Sequence, residues 1–112
     1  MWKPDPSIII TAEQKAAEQR AGLEAMFSSA IETHLDDTAR QRRYDSIHTA
    51  ISYRDDANPV FASEAAVLFA WRSAVWTYST AELDKVMSGE RSIPTIEEFV
   101  AELPEIVWPT NP

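Results

Sequence analysis

Three stretches of apolar periodicity organise the chain, each bracketed by residues that start or stop a helix. In the first, Leu23, Phe27, Ala30, Ile31, His34 and Leu35 recur at spacings of three and four, which puts them on one stripe of a helix. Thr11 followed by Gln14 is a capping-box pattern, so the helix is expected to start there. From Ala12 to Gly22 the apolar face is alanine alone. Those turns bury little area and rely on helix propensity or on a partner. Asp36 and Arg40, four apart, are expected to pair on the exposed side.

A short second helix is predicted after the capping step Asp45-Ser46, with Ile47 and Ile51 facing inward. Asp55 to Pro59 is a breaker, and Asn58 or Ser63 can cap the next helix. Val60 to Met87 is the most hydrophobic segment. Its Phe61, Ala65, Leu68, Phe69, Trp71, Val75, Trp76, Tyr78, Leu83 and Val86 spread over more than one helical face. Ser88-Gly89 closes that helix, and Thr95 with Glu98 makes a second capping box before a short helix, Ile96 to Leu103, that Pro104 stops. The expected fold is all-α: a long N-terminal helix, a short bridging helix, a long core helix, a short C-terminal helix and extended termini. Residues 1–10 form a proline-stiffened arm, 11–103 a single helical domain and 104–112 an extended tail. The two long helices are expected to pack antiparallel with the second helix bridging them.

Composition narrows the function classes. A chain of 112 residues supports one modest core, and 45% hydrophobic with 25% charged residues is globular usage. The net charge of -8 is concentrated toward the C-terminal end, a surface that repels phosphate backbones, so nucleic-acid binding is not expected. The chain has no cysteine, which excludes disulfides and thiolate chemistry. Ile8 to Ile10 is too short a run for a signal-peptide core, and no window approaches the roughly 20 apolar residues of a membrane span. A soluble protein of the cytoplasm, without membrane partners, is the expectation.

Catalytic material is thin. His34 and His48, with Glu32, Asp36, Asp37 and Asp45 nearby, show none of the metal-ligand spacings. No nucleophile motif or phosphate-cradling glycine loop occurs in a chain with two glycines. No enzyme activity, metal or cofactor is expected. The aromatic residues offer more. Trp71 and Trp76 are five apart, about 140° around the helix, so one of them can face outward; Trp76 or Tyr78 is the favoured exposed residue, the choice between Trp71 and Trp76 stays open, and Arg72 can stack on Trp76. Arg40, Arg42 and Arg43 complement the end of the first helix as a solvated cluster. Trp2 and Trp108 sit in proline-flanked ends and dock either on another chain or back on the domain. The candidate partner-binding residues are Trp2, Ile8, Ile10, Arg72, Trp76, Tyr78 and Trp108.

Taken together, ITAEQKAAEQ, HLDDTARQRRYDSI, SYRDDANPVFASEA, AWRSAVW and PTIEEFVAELPEIVWP cover most of the chain, and in these stretches it resembles small proteins encoded with tail-fibre genes in tailed phages and prophages, labelled tail-fibre assembly or tail proteins. The resemblance implies a non-enzymatic protein of tail morphogenesis, binding a tail-fibre or other tail subunit as a chaperone or as a small virion component attached to the fibre. It implies action in the host cytoplasm during assembly, with the virion tail as a further location. It carries no catalytic residue. Self-association through the alanine face is a further expectation, since small residues allow close helix approach. The rival class is an acidic host-directed inhibitor that mimics nucleic acid; the interspersed Arg40 to Arg43 and Arg72 argue against it.

Overall fold

The computed structural model of the protein describes residues 11–110, and these form four helices with no strand among them: α1 (Ala12–Arg40), α2 (Ile47–Ile51), α3 (Pro59–Met87) and α4 (Ile96–Glu102). The expected N-terminal arm, residues 1–10, lies outside the described residues. Every helix begins with a side-chain cap. The Thr11 and Thr95 hydroxyls accept from the backbone N–H of Gln14 and Glu98, whose side chains accept in return from the cap N–H, completing both boxes. The Ser46 hydroxyl accepts from Thr49 N–H. Asn58 rather than Ser63 caps α3, accepting from Val60 N–H at 2.9 Å, with Pro59 in the first helical turn where its missing N–H costs nothing.

The two long helices end in the same way. At the end of α3 the chain turns through Gly89 at φ 81°, with Glu90 N–H donating to Lys85 O and Gly89 N–H to Val86 O. At the end of α1 the pattern repeats around Arg43 at φ 73°, with Tyr44 N–H donating to Ala39 O and Arg43 N–H to Arg40 O. This pair of reverse hydrogen bonds satisfies carbonyls that the helix end would leave without donors. Arginine in the left-handed region carries a strain that glycine avoids.

α1 and α3 run antiparallel. Tyr44 and Arg42, beyond the end of α1, reach Glu64 near the start of α3, His34 stacks edgewise on Trp71 at 5.7 Å, and Leu23 lies beside Val86. Between them the core is Phe27, Ile31, Leu35 and Ala39 from α1 with Ala65, Leu68, Trp71 and Val75 from α3. α2 closes one end with buried Ile47 and Ala50, while Ile51 is half-buried. Phe99 of α4 is fully buried, its ring edge-on to Phe27 at 5.1 Å and tilted against Tyr78 at 6.3 Å.

Three expectations need correction. Arg40 pairs with Asp37 at 2.9 Å, not Asp36; the Asp36 carboxylate instead accepts from Ile47 N–H at 2.9 Å and ties α2 to α1. Arg42 is not simply solvated, because it pairs with buried Glu64 at 3.1 Å. Residues 104–110, expected to leave as an extended tail, carry no helix or strand and lie against the helices. Trp71 Nε1–H donates to Pro104 O at 2.7 Å, Ile106 and Trp108 pack on the core, and the Arg42 guanidinium sits 4.5 Å from the centre of the Trp108 ring. The C-terminal segment is a strap along the α1–α3 pair.

Because Phe99 joins α4 to both long helices, Phe99→Ala is expected to lower stability by about 3–5 kcal/mol, the range for an emptied buried aromatic site. Equilibrium urea unfolding followed by circular dichroism measures it; a loss within about 1 kcal/mol would show that α4 is not part of the core.

Candidate partner-binding surface

α3 is apolar on more than one face. One face packs on α1 and α2, and a second receives α4 and the strap. The third looks outward over a groove of about 900 Å³ bordered by Phe69, Arg72, Trp76, Thr77 and Asp84 of α3 and by Glu32 of α1. Trp71 belongs to the core at 6% exposure, while Trp76 is half-buried at the groove wall, so the outward tryptophan is Trp76. Arg72 does not stack on Trp76: the arginine–ring contacts among the described residues are Arg42 on Trp108, Arg54 on Phe69 at 3.9 Å and Arg91 on Phe99. The Arg72 Nε is buried and has no hydrogen-bond acceptor among the described residues.

The remaining candidates divide. Tyr78 is half-buried and engaged within the protomer: its hydroxyl donates to Glu102 Oε1 at 2.6 Å, and Arg91 pairs with the other Glu102 oxygen. The hydrogen bond to Glu102 raises the Tyr78 pKa above its ordinary 10.0, and those from Arg91 and Tyr78 lower that of Glu102 below 4.5. This cluster clasps α4 to α3. Trp108 folds back onto the domain. Trp2, Ile8 and Ile10 lie outside the described residues.

At the opposite end of the hairpin, the first turns of α1 stand free of the core. Every residue from Ala12 to Gly22 is exposed except half-buried Ala16. These turns adjoin a shallow apolar notch where Ala16 and Leu23 meet Val86, Met87 and Ile93, with Ile93 64% exposed.

Sequence patterns did not single out Glu64, Tyr44 or Arg42 as a unit. Glu64 is 6% exposed and accepts from the Tyr44 hydroxyl at 3.0 Å and from Arg42 at 3.1 Å. Burial and the neighbouring carboxylate push the Tyr44 pKa up to about 12, so the phenol stays a donor at neutral pH. The partners stand 20 and 22 residues from Glu64, a separation that no local periodicity records.

Among the described residues no group of three or more His, Asp or Glu side chains converges as metal ligands would, and His48 faces Glu32 at 3.9 Å with both exposed. No helix among them is long and apolar enough to cross a membrane. No protein-family model, no curated protein and no solved structure matches the chain. What the geometry offers is surface: an outward groove on α3 and an uncovered helix end on α1.

His34 lies beneath the strap beside Trp71, in the pocket that Ile106 and Trp108 cover. Burial lowers its pKa below 6.5, against a smaller opposing pull from Asp37. The folded protein therefore takes up this proton less readily than the unfolded chain, and His34 lowers stability as pH falls below 6.5. Urea midpoints measured from about pH 7 to 5 are expected to fall more steeply for the native chain than for His34→Gln. Parallel slopes would show that His34 is as well hydrated folded as unfolded.

Proposed function

We propose that the protein is a non-enzymatic component of phage tail morphogenesis that binds a tail-fibre subunit, as an assembly chaperone or as a small fibre-attached part of the virion. The observation that supports it is the uncovered start of α1. Eleven residues continue a capped helix past the core, with only one of them even half-buried. An isolated helix of this length is marginal in water, so its order is worth maintaining where a partner packs on it. The alanine face allows that partner to approach closely, and the notch at Leu23, Met87 and Ile93 gives it an apolar seat. The partner proposed, a tail-fibre subunit, is the one that the sequence resemblance implies. Binding would occur in the host cytoplasm as fibres assemble.

Co-expression with that fibre subunit, affinity capture through a tag on this chain and light scattering of the eluate test the reading. A stoichiometric complex is expected, and Ala16→Glu, which puts a charge on the alanine face, should lower fibre retention at least tenfold, about 1.4 kcal/mol. Elution of this chain without the fibre subunit would overturn the proposal.

A further inference from the structure

The segment from Ala66 to Ala81, AVLFAWRSAVWTYSTA, contains one charged residue, Arg72, in a chain of which a quarter is charged. Part of that run is core, but Phe69, Ala70, Ser73, Thr77 and Thr80 are all exposed, at spacings of three and four along the outer face of α3. The stripe is small or aromatic, uncharged, and spans about two-fifths of the helix. Beside Glu32 of α1, which faces His48, α3 brings two charges to its groove, Arg72 and Asp84. They have opposite sign, and neither has an ion-pair partner among the described residues.

We infer that a second copy of this chain occupies this face, packed antiparallel across a two-fold axis level with Tyr78. The pair of charges on α3 is complementary to itself only in that orientation. Residue 78 is the midpoint of 72 and 84, so the axis sets Arg72 of each copy opposite Asp84 of the other, twice. A parallel pair would set Arg72 beside Arg72 and Asp84 beside Asp84. A patch that matches itself under a half-turn is the requirement for a closed homodimer. The same axis puts Trp76 opposite Thr80, a large ring against a small side chain, and Phe69 opposite Met87.

Two further observations agree. The buried Arg72 Nε lacks an acceptor in the protomer, and the facing carboxylate brings one to the guanidinium. Each copy carries a net charge of -8, so two copies repel, and a stripe without acidic residues until its end is where they approach at least cost. The half-exposed Trp76 is the anchor of the kind that dominates interface energetics. This inference does not rest on the tail-fibre reading, because it concerns the chain alone and a different face from the free end of α1.

Sedimentation equilibrium of the untagged chain, from the low micromolar range to about 100 μM, tests it, above the Kd of all but weak pairs. The native chain is expected to reach twice its 12.6 kDa mass. Arg72→Asp and Asp84→Arg each set like charges opposite one another and should raise the dimer Kd at least tenfold. The double variant restores both pairs with signs exchanged and should recover the native Kd within about threefold. Far-ultraviolet circular dichroism confirms the fold of each variant. Thr77→Glu, at an exposed stripe position, supplies an independent disruption and should also give monomer. A native chain that stays monomeric throughout overturns the inference. So does a dimer indifferent to the reversals and to Thr77→Glu, or one that the double variant does not restore.

Discussion

A carboxylate withdrawn from water must be met by donors, and Glu64 is the one buried charge among the described residues. Its two oxygens are taken by Tyr44 and Arg42, and both donors stand in the turn that ends α1. That turn depends on Arg43 at φ 73°, which swings the chain back so that its neighbours reach the start of α3. Arg42 then presents its flat face to Trp108 and holds the C-terminal strap. One buried carboxylate thereby fixes the register of α1 against α3 and the course of the last segment. The second fastening, Trp71 Nε1–H on Pro104 O, lies along the same line of contact. Removing either donor from Glu64 would leave a buried charge under-satisfied, so this end of the hairpin is held by necessity as much as by packing.

The opposite faces of the molecule follow from the same geometry. α3 carries more apolar surface than one neighbour can cover. α1 and α2 cover one side, α4 and the strap cover another, and the side with Phe69 and Trp76 is left partly exposed, with Arg54 over the Phe69 ring. α1 has the reverse imbalance: its second half is rich in large apolar residues and fully engaged, while its first half offers only alanine and extends beyond the core. Both open regions are consequences of where large side chains fall in the sequence. Neither contains the converging titratable groups that chemistry would need. Contact with other chains is the role proposed for both.

Much of the fold was legible because helix caps are local. Thr11, Ser46 and Thr95 announce their helices through side chains that reach only three residues. The end of α3 was equally legible, since Gly89 is the residue type that a left-handed turn favours. The matching end of α1 was hidden by an arginine in glycine's place. Asp36 and Asp37 were exchanged for a related reason: spacing made Asp36 the partner of Arg40, but Ile47 N–H, 11 residues away, claims that carboxylate. The return of Trp108 and the burial of Glu64 rest on contacts spanning tens of residues, and a periodicity argument has no access to them. For the candidate surface, the five-residue step shows that Trp71 and Trp76 face different ways but not which is buried; packing puts Trp71 in the core and Trp76 at the groove, whereas Tyr78 serves the α4 clasp. The remaining candidates, Trp2, Ile8 and Ile10, fall outside the described residues.

In energetic terms α1 is two helices, one half secured by Glu64 and the strap and the other uncovered within the protomer. Amide hydrogen exchange of the purified chain, resolved along α1 by mass spectrometry, measures this directly. The account predicts slow exchange from Phe27 to Ala39, at the level of global unfolding, and exchange orders of magnitude faster from Lys15 to Gly22, where only local fraying is needed. Uniform protection along α1 would contradict it, because the first turns would then have to be covered within the protein itself.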